Sequence, residues 1–90
     1  MPEQKVSVGR IVHYVFKDRN GELVHRPAIV VHDCFADWGV YQEQEGVQLQ
    51  VFTDGTNDGP DYAAGIVWRT SVYHDEETKA EGTWHWPERD

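Results

Sequence analysis

Alternation of apolar and polar side chains divides the chain into pieces of strand length. In residues 6–17, Val6, Val8, Val12, Tyr14 and Phe16 share one parity of a two-residue repeat, the pattern of a β-strand with one covered face. Gly9 and Arg10 interrupt that face, and a glycine inside a strand commonly marks a bulge or bend. Asp18-Arg19-Asn20-Gly21 follows, with Asn and Gly supplying the positive φ that a tight hairpin turn needs. The returning strand covers about 22–35. Pro27 has no N–H to give, which puts it at an edge, a bulge or a strand start. Ala28-Ile29-Val30-Val31 is apolar on both parities and predicts cover on both faces.

Residues 36–46 break the pattern with Asp37, Gly39 and a Gln42-Glu43-Gln44-Glu45 run, and read as a solvated loop or a short helical insertion. Strict alternation returns at Val47, Leu49 and Val51 against Gln48 and Gln50. The DGTNDGPD stretch at 54–61 has turn chemistry at nearly every position. A fourth strand at 66–73 is expected to point Ile66, Trp68 and Val72 inward and Arg69 and Ser71 outward. Gly82-Thr83-Trp84-His85-Trp86-Pro87 reads as a short closing strand with both tryptophans on one face. Short strands without a convincing helix predict an all-β fold, and five of them suit a small SH3-like, partly open barrel that hides its edges. The alternative is an α+β sheet with one short helix at about 36–46. One β domain spans residues 1–90, with loose ends at 1–5 and 88–90.

Composition narrows what such a barrel does. Four tryptophans and 12% aromatic residues exceed what a disordered chain carries. A 90-residue domain buries a modest share of its surface, so a homo-oligomer is expected. The net charge of −8 opposes binding to a phosphate backbone, which argues against direct contact with nucleic acid. The charge is uneven. No Lys or Arg lies between Arg26 and Arg69, where Asp33, Asp37, Glu43, Glu45, Asp54, Asp58 and Asp61 fall, while residues 1–26 hold five bases against three acids. No apolar run approaches the roughly 20 residues that cross a bilayer. With a single cysteine and no secretory start, a cytoplasmic location is expected.

Candidate chemistry is sparse. Residues 54–59 match the first half of a calcium loop, but the twelfth position is Gly65 instead of Glu, and a turn held by Asp and Asn side chains is the simpler reading. His32 and Cys34 share a face without a third orienting group, and Cys34 reads as structural, so no catalytic residue and no enzyme activity are expected. The five histidines have no metal-ligand spacing, so neither a metal nor a cofactor is expected. Trp68 reads as core. Trp84 and Trp86 are candidates for a stacked ligand or an interface, and Arg10, Arg26 and Arg69, embedded in strands, are candidates for gripping an anion.

The blocks Gly9-Arg10-Ile11-Val12-His13-Tyr14, Arg26-Pro27-Ala28-Ile29-Val30-Val31, Leu49-Gln50-Val51-Phe52-Thr53-Asp54-Gly55, Val67-Trp68 with Ser71-Val72, and Gly82-Thr83-Trp84-His85-Trp86-Pro87 occur in an order that resembles a family of short proteins encoded by tailed bacteriophages and prophages. The resemblance runs from about residue 9 to 88 and carries over no catalytic residues. It implies action by occupancy inside the host bacterium. The leading expectation is sequestration of a small anionic, nucleotide-derived ligand by Arg10, Arg26, Arg69, Trp84 and Trp86, antagonising defence signalling. The alternatives are an acidic inhibitor that binds a host nuclease or other defence protein, and a virion or assembly component.

Overall fold

A computed structural model describes residues 6–33 and 46–88. Five strands, β1 (Ile11–Lys17), β2 (Leu23–Asp33), β3 (Val47–Phe52), β4 (Ile66–His74) and β5 (Thr83–His85), form a closed barrel in the order β1-β2-β3-β4-β5, consistent with a small SH3-like β-barrel. A single 3-10 turn, Pro60–Tyr62, is the only helical element among the described residues. None of the described helices is long and apolar enough to cross a membrane. The helix weighed for 36–46, together with Cys34, Trp38 and Tyr41, falls almost wholly outside the described residues.

The first hairpin follows its sequence signals. Asp18 Oδ1 accepts the N–H groups of Asn20 and Glu22, Asp18 N–H donates to the Glu22 carbonyl, and Gly21 turns the chain at φ 81°. Gly9, at φ 94°, makes the expected bend ahead of β1 and donates its N–H to the Val30 carbonyl. Pro27 stands opposite His13 one residue beyond the β2–β3 ladder, which starts at Ala28↔Val51, so its missing N–H disrupts no pairing there.

Inside the barrel, Val12, Ala28, Val30, Val47, Leu49 and Trp84 are fully buried, and Tyr14, Phe16, Val51 and Val72 nearly so. Closure depends on β5, which is three residues long. It meets β1 antiparallel through His13↔His85 and Tyr14↔Trp84, and β4 parallel through Tyr73↔Thr83 and His74↔Trp84. Trp84 thus sits opposite a residue of each neighbour. Its ring stacks on His74 at 4.1 Å and meets the Trp86 ring edge-on at 5.2 Å.

β4 departs from the sequence reading. Trp68 and Ile66 are about half exposed instead of inward, while Arg69 takes the barrel-facing position opposite Leu49. The cause is a register shift between the Val47↔Val72 and Leu49↔Arg69 pairs, where Ser71 adopts φ 56°. An inserted residue reverses the parity on either side of it, so Val72 is buried although Trp68 is not. Trp68 is therefore a surface residue and not part of the core.

Because Trp84 fills the seam between β1 and β4, Trp84→Ala should cost about 3–5 kcal/mol. For a chain of 90 residues that is a large share of a total of roughly 5–13 kcal/mol. Urea unfolding followed by circular dichroism should show a midpoint collapse for this variant, and little change for Trp68→Ala.

Candidate functional site

The five residues singled out in the sequence separate into two groups. Arg10 and Trp86 meet, with the Arg10 guanidinium 5.0 Å from the centre of the Trp86 ring. A cation over an aromatic face is attracted by the ring quadrupole, and its N–H donors remain available to an anion. Arg10 is exposed and has no carboxylate partner among the described residues. Trp86 is half-buried against the core, and its backbone N–H donates to Glu76 Oε1 at 3.0 Å. Trp84 lies behind it with no exposed surface, so it supports Trp86 and has no face left for a ligand.

Arg26 on β2 and Arg69 on β4 instead hold the segment that follows β3. Asp54 organises its start, with Oδ1 accepting the Thr56 and Asn57 N–H groups and Oδ2 the Asn57 side-chain amide. These bonds, led by the Asn57 amide, hold the Asp54 carboxyl below its usual range. Asp58 is buried and accepts from Arg26 Nε at 2.9 Å, Arg26 Nη2 at 2.6 Å and the Asp54 N–H at 2.7 Å. The Arg26 hydrogen bonds lower Asp58 and raise Arg26 in turn, against the effect of burial on each. Both carboxylates that a calcium ion would need first are thus engaged in holding the turn. Arg69 donates to the Trp68 carbonyl and to the Tyr62 hydroxyl, and the Tyr62 ring packs on Phe16 at 4.7 Å. Arg26 and Arg69 are structural ties here, each with two of its guanidinium nitrogens bonded to the protein.

A third group carries chemistry that residue spacing did not suggest. His13 on β1, His25 on β2 and His85 on β5 converge on the carboxylate of Glu88. His13 Nδ1 donates to Oε1 at 2.7 Å, His85 Nε2 donates to Oε2 at 2.8 Å, and His25 Nδ1 makes a short contact to Oε2. The His85 ring meets His13 and His25 edge-on at 5.7 and 4.7 Å. Burial works to raise Glu88, but the His13 and His25 hydrogen bonds and the charges of His85 and His25 outweigh it and hold the carboxyl at about 2. Burial lowers His85 despite the neighbouring carboxylate, which favours the neutral ring. Its Nδ1 is buried without a hydrogen-bond partner among the described residues. His13 Nδ1, His85 Nε2 and a Glu88 oxygen all lie within 4.8 Å of one another, a set able to ligate a cation.

Part of this cluster was within reach of the sequence. A hairpin turning at 18–22 pairs Val15 with His25 and His13 with Pro27, which makes His13 and His25 diagonal neighbours on one face. His85 and Glu88 join only through the pairing of β5 with β1, which no local signal reveals. Glu88, assigned to a loose end, is tied to three strands.

Replacing Asp58 tests the tie between β2 and the 54–62 turn. Asp58→Ala should cost about 3 kcal/mol, the low end for a broken buried pair, because Arg26 keeps 26% of its side chain exposed. Asp58 has a depressed folded pKa, so its contribution is present above the unfolded value of 3.8 and is lost as pH falls through the lower folded value. The stability gap between wild type and Asp58→Asn, measured by urea titration, should therefore be full at neutral pH and close below about pH 4.

Compared with known protein families, curated proteins and solved structures, the chain matches none.

Proposed function

We propose that this barrel is a non-enzymatic binding protein that holds a small anionic ligand carrying a flat ring, of the nucleotide-derived class. The single observation that supports this most is the exposed Arg10 guanidinium over Trp86. Arginine grips phosphate in bidentate fashion, and the adjoining aromatic surface favours a base. Trp84 backs this site as a structural support, while Arg26 and Arg69 make their contacts at the 54–62 turn. The resemblance to short phage proteins supplies the biological setting, in which occupancy of a host signal antagonises bacterial defence.

Native mass spectrometry of the protein recovered from infected or defence-active cells tests the reading. A small molecule should be retained and should leave unchanged on denaturation. Arg10→Ala should weaken it about 10–100-fold, the loss of one charge-assisted contact. Release of a cleaved product would favour an enzyme instead.

A second reading, an assembly component that pairs with further copies of this chain, is favoured by the barrel exterior. Ile11, Ile29, Gln50 and Trp68 stand in one rank across four strands, with Phe52 and Ile66 paired beside them. Ile11, Phe52, Ile66 and Trp68 are all exposed. Such a band is an apolar surface of the kind that marks interfaces. Sedimentation velocity should find wild type larger than a monomer and Trp68→Lys monomeric, and a monomeric wild type would remove this reading.

A further inference from the structure

We propose that His13, His25, His85 and Glu88 bind one divalent transition-metal ion of the zinc class, which clamps the 86–88 segment across β1, β2 and β5. The site uses neither Arg10 nor Trp86, and it stands whether or not the barrel binds a nucleotide-like ligand.

Donor atoms of His13, His85 and Glu88 already lie within 4.8 Å of one another, and His25 reaches the same carboxylate from β2. Three imidazole nitrogens approach one carboxylate, with His13 Nδ1 and His85 Nε2 at 2.7 and 2.8 Å from its oxygens. Ligands held about 2.0–2.1 Å from a tetrahedral zinc lie roughly 3.3 Å apart, so the nitrogen–oxygen contacts need to open by about half an ångström while the donors, now spread over as much as 4.8 Å for His13, His85 and Glu88, draw in around the ion with His25. Glu88 follows the last strand and is partly exposed, so rotation of its side chain opens those contacts, and the imidazole rings supply the rest of the movement. Three imidazoles with a single carboxylate suit zinc, nickel or copper, whereas calcium and magnesium require mostly oxygen donors.

A ring in its neutral form becomes a ligand once its proton sits on the nitrogen that faces away from the ion. His85 Nδ1 is without a partner in either tautomer, so the ion adds no new unsatisfied group there. Four protein donors complete a tetrahedral shell, which is the arrangement of a structural site and leaves no position for substrate. The benefit falls where the barrel is weakest. β5 has two register pairs with each neighbour, and an ion shared by β1, β2, β5 and the following segment fastens all of them together.

The test begins with the full chain dialysed against chelator and then titrated calorimetrically with zinc chloride. One ion per chain should bind, and at a hundredfold excess over Kd the melting temperature should rise by about 10 °C or more. Cobalt(II) in place of zinc should give the intense visible bands of a tetrahedral centre. Glu88→Gln and His13→Ala should each weaken binding at least about tenfold, while His32→Gln, a change elsewhere on β2, should leave it unaltered. Glu88→Gln keeps the shape of the side chain, so it decides the matter if His13→Ala does not fold. Absence of zinc uptake, half an ion per chain, or equal weakening by His32→Gln would each overturn the proposal.

Discussion

Burial of one indole ring holds this barrel shut. Trp84 has no exposed surface and lies opposite Tyr14 of β1 and His74 of β4, so the strand that carries it is fixed on both sides by the same residue. β5 is too short for backbone hydrogen bonds alone to hold it. Removing a large aromatic side chain from water contributes about 1.5–3 kcal/mol, and stacking on His74 adds to this. With β5 in place, the segment after it turns back over the outside of the hairpin. Arg10 then meets Trp86, and Glu88 meets the three histidines. Both candidate sites therefore depend on the seam that Trp84 fills.

Where local signals were strong, the sequence was sufficient. Val47, Leu49 and Val51 alternate cleanly and are buried as the alternation requires, and the Asp18-to-Gly21 turn forms with the side-chain bonds its composition suggests. β4 was misread because the two-residue repeat was carried through Ser71. A single left-handed serine there exchanges the inside and outside of the strand, and no residue type near it announces the change. The contacts of the arginines were hidden for a different reason. Their surroundings in the chain do not reveal that the Asp58 and Tyr62 acceptors fold over them, and only the tertiary path of the 54–62 turn shows that Arg26 and Arg69 are already engaged. Of the histidine cluster, only the nearness of His13 and His25 follows from the hairpin; His85 and Glu88 come from β5 and the segment after it, and spacing along the chain has no bearing on how they join.

Polar groups divide the molecule by task. At the 54–62 turn, carboxylates are surrounded by donors and pushed below their usual range, and that end of the barrel is internally satisfied. At the other group, Arg10 lies over an aromatic ring with no carboxylate partner among the described residues.

Ring closure also has a consequence for how partners are chosen. β3 is paired on both sides along its length, but β5 covers only His13 and Tyr14 of β1 and Tyr73 and His74 of β4. From Ile66 to Val72, β4 has β3 on one side and no strand on the other among the described residues. That row of amides and carbonyls is where an incoming extended peptide would pair with the barrel, beside the short strand that closes it.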